Sequence, residues 1–312
     1  MSKQVIAVVG ATGAQGGGLV RSILASGDYA VRAITRDAKS AKGQGLAKAG
    51  AEVVSASVDD PDSLKRAFAG AHGAFCVTFF WDHFSPAKEL AHAQNMATAA
   101  AQAGVAHVVW STLEDTRRWV PLDDDRMPTL QGHYKVPHFD AKGEADRFFA
   151  EAVPTTFLLT SFYWDNLIHF GMGPKPRPDG KLSFVLPMGE KKLPGIAADD
   201  IGRCAHGVFR RGEELKGKTV GIAGEHLSGA EMAAALSKAL GKEVVYDAVS
   251  PAAYRGFGFP GAEDLGNMFQ FKHDFEQVFR GARDVAFSRG LNPELQSFAQ
   301  WLERNEGRIP TS

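Results

Sequence analysis

The sequence predicts an α/β fold in which a doubly wound parallel sheet is followed by a smaller C-terminal α/β domain. Short apolar runs alternate with segments of helical spacing from the start of the chain to about Thr112. The connections between these segments are short, which is typical of parallel strands joined by right-handed helical crossovers. A glycine-rich stretch follows directly after the first apolar run.

The first strand and helix carry the most informative motif. Val5–Val9 is short, continuous and β-branched, as in a strand buried on both faces, and Gly17–Ala25 has helical spacing. Between them, Gly10, Gly13 and Gly16 form the pattern G-x-x-G-x-x-G. In a Rossmann-type fold the first glycine makes the turn, the second admits a pyrophosphate and the third lets helix and strand pack closely. The sequence therefore predicts a dinucleotide site at the start of this helix.

The alternation continues through four further strands. They are predicted at Tyr29–Arg36, Ala51–Val58, Gly73–Phe80 and Ala106–Thr112. The intervening helices are predicted in a polar Lys/Ala-rich stretch, after Asp60-Pro61-Asp62-Ser63, and from about Pro86 to Ala103. We expect residues 1–154 to form the dinucleotide-binding part. Residues 155–312 should complete the sheet and form the smaller domain.

Two segments interrupt the pattern. Asp115–Pro137 is polar and contains prolines, and its Arg117-Arg118-Trp119 cluster mixes charge with an aromatic side chain. Loops of this length are usually functional lids or disordered, so we expect this one to become ordered on ligand binding. Proline and glycine dominate Gly171–Gly195, which predicts a flexible or substrate-covering section. Further along, Ser228 and Glu231 predict a capping box at the start of a helix.

The composition excludes several classes of protein. The 312 residues include 35 basic and 36 acidic side chains, so binding to nucleic acid through overall charge is not expected. A strand begins within five residues of Met1 and no apolar run reaches membrane-spanning length, which predicts a cytoplasmic protein with no membrane attachment. Cys76 and Cys204 fit a reducing compartment. His133 and His138 lack a third ligand nearby, so no metal site is expected.

The end of the second strand predicts which nicotinamide cofactor would bind. A carboxylate at this position accepts from the free ribose 2′-hydroxyl of NAD, whereas an arginine accommodates the 2′-phosphate of NADP. The strand ends in Thr35-Arg36, with Lys39 and Lys42 just beyond. Arg36 favours NADP(H), although the adjacent Asp37 could act as an acidic reader instead.

Several strings of sequence together resemble one family. They are "GATGAQGGG", "TR" after the second strand, "VVWSTLED", "HFDAKGEAD", "YWDN" and "FPGAEDLGNMF". Over nearly the whole chain these are similar to NmrA-like proteins, which are atypical short-chain dehydrogenase/reductases. The most similar subgroup is the NmrA-like redox-sensor type. The resemblance implies an NADP-binding domain followed by a smaller domain.

The resemblance and the strand ends together predict a set of cofactor-binding residues. The family implies contacts from Gly10–Gly16, Arg36, Lys142 and the stretch Tyr163–Asn166. Phe79 and its neighbours follow the fourth strand, where a pocket opens in such folds. The full predicted set is Gly10, Thr12, Gly13, Ala14, Gln15, Gly16, Arg36, Asp59, Thr78, Phe79, Lys142, Tyr163, Trp164 and Asn166.

The expected catalytic pair of the superfamily is altered in this chain. Short-chain dehydrogenases place a tyrosine four residues before a lysine, and here the pair reads His138 and Lys142. Because Pro137 favours a helix start, the two side chains should share a face. His138 could act as a general acid or could cap and pack at the helix start. Ser111, at the end of the fifth strand, occupies the position of the family's polarising hydroxyl.

Two functions follow from the resemblance. The first is reversible NADP(H) binding by a redox-responsive regulator that acts through a protein partner or as a homodimer. The alternative is an NADPH-dependent reductase of a small-molecule substrate, namely a carbonyl, enone, imine or quinone. Lys142, His138 and Ser111 would then be the catalytic residues. Family members of both kinds exist, and the missing tyrosine does not exclude catalysis.

Overall fold

A computed structural model describes residues 3–311 and shows an α/β fold. The strands are β1 Val5–Val9, β2 Ala30–Thr35, β3 Glu52–Ser55, β4 Gly73–Cys76, β5 His107–Thr112, β6 Thr155–Leu159, β7 Phe162–Tyr163, β8 Lys175–Pro176, β9 Leu182–Val185, β10 Lys192–Ile196, β11 Thr219–Gly221, β12 Glu225–Ser228 and β13 Val244–Asp247. The helices are α1 Ala14–Ser26, α2 Ala41–Lys48, α3 Pro61–Phe68, α4 Pro86–Gln102, α5 Pro137–Ala152, α6 Asn166–His169, α7 Ala198–Arg211, α8 Gly229–Leu240, α9 Pro251–Arg255, α10 Ala262–Asp274, α11 Glu276–Gly281, α12 Val285–Leu291 and α13 Phe298–Asn305.

Seven parallel strands form the main sheet, in the order β11-β6-β5-β4-β1-β2-β3. From β1 the chain proceeds first through β2 and β3, and then returns to β4 on the other side. This reversal opens a crevice at the carboxyl ends of β1 and β4, where doubly wound folds bind their ligands. The predicted fold class is confirmed.

Helices cover both faces of this sheet. Leu19 of α1 and Ile201 of α7 are buried in the core on one face, and Met96 of α4 and Phe149 of α5 are buried in the core on the other. The two helices of the first face approach closely, because a Cβ on Gly202 would collide with the backbone of Leu19. A side chain there would push α7 away from α1 and so shift the loop that precedes α1.

A third core lies in the C-terminal part of the chain. Two three-stranded sheets, β12-β10-β7 and β13-β9-β8, pack with α8 and α10 around buried aromatic side chains such as Phe184 and Phe269. The residues after Pro154 therefore supply β6 and β11 to the main sheet and also build this smaller unit. The capping box of Ser228 and Glu231 at the start of α8 is confirmed.

The two irregular segments of the sequence are both packed against the rest of the protein. Val120, Met127 and Val136 of the long loop are buried in the third core, and Asn267 donates hydrogen bonds to the carbonyl oxygens of Pro128 and Lys135. The loop is therefore attached to the C-terminal unit in this structure. For 171–195 the prediction of flexibility is wrong, because the segment contains β8, β9 and most of β10, but the alternative of a substrate-covering section agrees with the cavity, which Met172, Lys175 and Ser183 line. Alternate residues of β9 point into the core. The glycine and proline content of a segment does not indicate whether its other residues are buried.

Three further observations apply to residues 3–311. Both cysteines are buried and free. No cluster of three or more His, Cys, Asp or Glu side chains with metal-binding geometry occurs in this part of the chain. None of its helices is both long enough and apolar enough to cross a membrane.

Candidate functional site

A cavity of about 1310 Å³ opens at the carboxyl ends of β1, β2, β4 and β5. It starts at the glycine loop of Gly10–Gly16, passes His138 and Lys142 of α5, and ends against α9 and α10. A pocket for one small ligand usually measures about 300–1,000 Å³. This cavity is therefore large enough to hold a dinucleotide together with a second molecule.

The glycine loop leaves little space for side chains. Gly10 has a φ of +66°, in the left-handed region that favours glycine. A Cβ on Gly13 would lie 3.2 Å from the Gly10 carbonyl oxygen, and one on Gly16 would lie 2.5 Å from the same atom. Gly13 also precedes α1 without offering a side-chain acceptor to its first turn. The loop thus presents bare backbone and the N-terminus of a 13-residue helix to the cavity, an arrangement suited to an anion.

Gln15 and Tyr163 connect the glycine loop to the second part of the chain. Gln15 Nε2 donates a hydrogen bond to Tyr163 Oη at 2.5 Å. Gln15 Oε1 is buried and accepts no hydrogen bond from the described residues. An unpaired buried acceptor costs free energy, so this oxygen is a place where a bound ligand could donate. Burial raises the pKa of Tyr163, and the phenol stays protonated. Asn166, Thr12 and Ala14 also line this part of the cavity.

The end of β2 presents Arg36 rather than Asp37 to the cavity. Arg36 lines it, is largely exposed, and its Nη1 lies 3.4 Å from Asp82 Oδ2. The Asp37 carboxylate instead accepts a hydrogen bond from the backbone N–H of Lys39 at 2.8 Å, in a turn. Asp59 also lines the cavity, with its Oδ1 at 2.8 Å from His92 Nε2.

Lys142 lies within a buried polar cluster. Its Nζ is 2.7 Å from Glu89 Oε1 and donates hydrogen bonds to the hydroxyl and the carbonyl oxygen of Thr78. His83 Nε2 lies 3.5 Å from the other oxygen of Glu89. Burial alone would raise the pKa of Glu89, but the Lys142 ammonium and the hydrogen bond that the Thr78 hydroxyl donates to Glu89 Oε1 lower it to about 2. The cluster therefore holds an ion pair at the cavity wall.

The sequence did not predict that Glu89 and His83 belong to the site. Glu89 lies in the first turn of α4, where an acidic residue ordinarily stabilises the helix dipole in solvent. It is fully buried instead. No local signal distinguishes it, because only the packing of α4 against α5 brings Lys142 to it.

His138 is held by a carboxylate from a distant helix. Its Nδ1 lies 2.5 Å from Asp264 Oδ1, and its backbone N–H donates to Asp264 Oδ2 at 3.1 Å. The imidazole ring packs 4.8 Å from the Trp81 ring, measured between centroids. His138 and Lys142 both line the cavity, so the predicted shared face of α5 is confirmed. Asp264 lies within "FPGAEDLGNMF", one of the strings that resemble the NmrA-like family, but no role was predicted for Asp264 itself.

Two further predicted residues reach the cavity. Ser111 is buried at the end of β5 and lines it, whereas the hydroxyl of the adjacent Thr112 donates to Asp146 Oδ1 at 2.6 Å. Phe79 lies at the cavity with 53% of its surface exposed. The fourth strand ends at Cys76 rather than Phe80, because Phe80–Asp82 forms a short helical turn beside the cavity.

The prediction for Trp164 is wrong. Trp164 is 1% exposed and does not line the cavity. Its ring lies 5.3 Å from that of Phe298 in the third core. Successive residues of an extended segment point in opposite directions, so Trp164 points into the core when Tyr163 faces the cavity.

The part of the cavity against α9 and α10 is mostly apolar. It is lined by Tyr254, Phe257, Phe259, Leu265, Met268 and Lys272. The predicted lid does not contribute to it: of the described residues that line the cavity, none lies between 115 and 137. We refer to this part as the aromatic compartment.

Comparison with known proteins is consistent with this description. Residues 2–300 match the sequence profile of the NmrA-like family. An NmrA-like family domain-containing oxidoreductase of Cladobotryum sp., FrzB, is 31% identical over 284 aligned residues, which cover 86% of this chain and 83% of the relative. A second such oxidoreductase, ptmS of Penicillium ochrochloron, is 27% identical over 97% of this chain and 98% of its own.

Solved structures share the fold. NmrA, described as a negative transcriptional regulator and solved in complex with NADP, superposes with a TM-score of 0.77 at 22% identity, over 97% of this chain and 95% of its own. Triphenylmethane reductase of Citrobacter sp., complexed with NADP(H), gives a TM-score of 0.75 at 21% identity, over 96% of this chain and 99% of its own. With its glycine loop, its seven-stranded sheet and a profile match across nearly its full length, this chain belongs to the NmrA-like family.

Proposed function

We propose that this protein is an NADP(H)-dependent reductase of an apolar carbonyl, enone, imine or quinone compound. One observation carries the proposal. The His138–Asp264 pair lies in the wall of a cavity that runs from the glycine loop to the aromatic compartment. A histidine oriented by a carboxylate between a cofactor site and an apolar chamber is the arrangement expected of a proton donor in a reduction.

The residues at the glycine-loop end fit an NADP(H) molecule. The backbone of Gly10–Gly16 and the N-terminus of α1 suit the pyrophosphate, and a Cβ on Gly13 would fill the space it needs. Arg36 suits the ribose 2′-phosphate, whereas Asp37 is turned away in its own hydrogen bond. NmrA has been solved with NADP and also with NAD, and triphenylmethane reductase with NADP(H), so these structures support a nicotinamide dinucleotide and the preference for NADP(H) rests on Arg36. When bound, the cofactor would supply a hydride.

His138 would supply the proton. Its Nδ1 faces Asp264, so Nε2 is the ring nitrogen that remains to exchange a proton with a substrate. The Asp264 carboxylate fixes the ring orientation and stabilises the charged imidazolium. Trp81 and Phe139 pack against the ring and keep water from the two flanks that they cover.

Lys142 would hold the cofactor rather than donate the proton. Its ammonium is fixed by Glu89 and Thr78 at the cavity wall, one helical turn beyond His138. A fixed ammonium on this face can donate hydrogen bonds to ribose hydroxyls, as the family resemblance implies. Glu89 and Thr78 are then positioning residues, because they act through Lys142.

A regulator is the second candidate, and a specific surface favours it. Five large apolar side chains that line the cavity are exposed: Phe79, Phe84, Phe170, Phe257 and Phe259. Exposed apolar side chains grouped around a ligand site are typical of an interaction surface. In this candidate function, the group would bind a partner protein or a second copy of the chain according to the redox state of the cofactor.

Turnover tests the proposal. We expect the purified protein to oxidise NADPH, followed by its absorbance, with at least one member of a panel of quinones, enones and imines. His138→Asn should lower kcat about 10²- to 10⁴-fold, the usual contribution of a general acid, and leave NADPH binding unchanged. His169→Asn, an exposed histidine at the same cavity, is the matched control.

Two results would contradict the assignment. If NADPH binds but no panel member is reduced, the protein is not a reductase of these classes. Sedimentation with NADPH and with NADP⁺ would then test the regulator, which predicts a difference in association between the two forms. If His138→Asn turns over like the wild type, the proton comes from another group.

A further inference from the structure

Lys272 is a buried lysine that the proposed reaction does not use. It lies on α10, is 4% exposed, and lines the cavity at the aromatic compartment. Its Nζ donates a hydrogen bond to Met268 Sδ at 3.2 Å, and a thioether is a weak acceptor. The rings of Phe139, Phe269 and Phe279 surround it at 5.0–5.5 Å from Nζ to ring centroid.

No carboxylate among the described residues forms an ion pair with this ammonium. The nearby Glu114 is already occupied by a bidentate ion pair with the buried Arg283. Three aromatic faces and one sulfur compensate a buried charge only in part. A methionine or leucine at this position would fill the space at lower cost, so a lysine in the cavity wall points to a ligand.

We propose that Lys272 is the anchor for an anionic oxygen on an aromatic substrate, and that the aromatic compartment is a site for aromatic carboxylates. The chemistry of the walls defines this ligand class. Phe257 and Phe259, which line the compartment, would cover the faces of a flat ring, and the ammonium of Lys272 would bind a carboxylate on that ring. The inference rests on the proposed function for the identity of the site as the substrate chamber, but binding itself requires no turnover.

The protonation behaviour of Lys272 agrees with this geometry. Burial, and to a smaller extent the neighbouring Arg283, lowers the pKa of Lys272 to about 7, and Glu114 opposes this change. A bound carboxylate would restore the charged form. The other titratable groups of the compartment are the His138–Asp264 pair and Tyr254, and burial raises the pKa of Tyr254 to about 12.

A pair of probe ligands tests the charge directly. We would titrate 2-naphthoate and its neutral analogue 2-naphthamide by calorimetry into the full-length protein saturated with NADP⁺, which cannot reduce either probe. We expect the carboxylate to bind about ten- to hundredfold more tightly than the amide, the range for a hydrogen bond to a charged group. Lys272→Met should remove this difference and leave amide binding unchanged. Lys175→Met, an exposed lysine of the same cavity, should keep it.

Two further readouts separate a ligand anchor from a structural lysine. Lys272→Met should unfold at the same or a higher urea concentration than the wild type, whereas loss of a structural contact would lower it. Naphthoate affinity should fall as the pH rises from 6 to 9, because Lys272 loses its proton, and His138→Asn should show the same fall. Lys272→Gln serves as a second variant if the methionine variant does not fold.

The inference is overturned if naphthoate and naphthamide bind equally, if neither binds, or if Lys272→Met retains the preference for the carboxylate. NADPH titration and turnover of the same preparation report separately on the proposed function. A protein that reduces a panel substrate but ignores naphthoate would keep the reductase assignment and lose the carboxylate site. A protein that binds naphthoate but reduces no panel substrate would keep the carboxylate site and lose the reductase assignment.

Discussion

The two buried lysines of the cavity are stabilised in different ways. Lys142 lies at the sheet end, where Glu89 and Thr78 satisfy its ammonium. Lys272 lies in the aromatic compartment, where three phenylalanine rings and a methionine sulfur surround it. Both side chains come from helices of the same cavity wall, α5 and α10, yet only one has a carboxylate partner.

The difference indicates which lysine has its counterion within the fold and which has none until a ligand binds. Removing one partner of a buried ion pair is destabilising, because the other charge remains buried without a counterion. An unpaired buried charge is a cost in the free protein, since water has been removed and no counterion replaces it. We therefore expect substitution at Lys142 to affect stability as well as cofactor binding, and substitution at Lys272 to affect recognition of the second ligand.

The largest expected effect is on the paired lysine. Lys142→Met should lower the free energy of unfolding by about 3–5 kcal/mol, because Glu89 remains buried without its cation. Urea denaturation measures this loss. The double variant Glu89→Gln with Lys142→Met should recover much of it, and Lys272→Met should show no loss. Equal destabilisation by the two lysine variants would remove the distinction between the two regions.

The pH dependence of stability also distinguishes the two lysines. The pKa of Lys272 is lowered from 10.5 in the unfolded chain to about 7 in the folded protein. Between these values the unfolded chain binds more protons, so this lysine makes stability rise with pH from about 7 to 10.5. The slope from one proton is at most about 1.4 kcal/mol per pH unit. Denaturation of Lys272→Met across this range should lack that rise; an unchanged profile would contradict it.

Glu89, the partner of Lys142, affects stability in a different pH range. The pKa of Glu89 is lowered from 4.5 to about 2, so its contribution to stability is complete above pH 4.5 and is lost as the pH falls through 2. Acid denaturation followed by circular dichroism should show Glu89→Gln losing less stability than the wild type between these values. Glu52→Gln, in an ion pair with Arg32 at the surface, is the control and should follow the wild type.

The smallest expected effect concerns cofactor choice at the sheet end. Arg36→Ala should reduce the preference for NADPH over NADH about tenfold, because it removes a charged hydrogen bond to the 2′-phosphate. Calorimetric titration with both cofactors measures the change, and naphthoate binding in the aromatic compartment should stay as in the wild type. Asp37→Asn is the neighbouring control. A wild type that binds both cofactors equally would exclude Arg36 as the phosphate reader.

Local pattern was sufficient to predict the fold class, the glycine loop and the helix that carries His138 and Lys142. These features depend on near neighbours in the chain: β-branched runs for buried strands, glycine spacing for the turn, and Pro137 for the start of α5. The segment 171–195 shows where such reasoning ends. Its glycines and prolines describe local backbone preference, but burial of Leu182 and Phe184 against the C-terminal core decides that it forms strands.

The amino-acid sequence by itself determined the architecture of the glycine loop and its flanking elements, because each part is a short-range strand–turn–helix element. Only the tertiary structure decided which polar groups meet. Asp264 contacts His138 although the two lie 126 positions apart in sequence, and Glu89 contacts Lys142 from another helix. Lys272, in contrast, packs against phenylalanine rings and has no carboxylate partner among the described residues. The cost or gain of a buried charge depends on atoms within a few ångströms in space, and helix packing sets those distances.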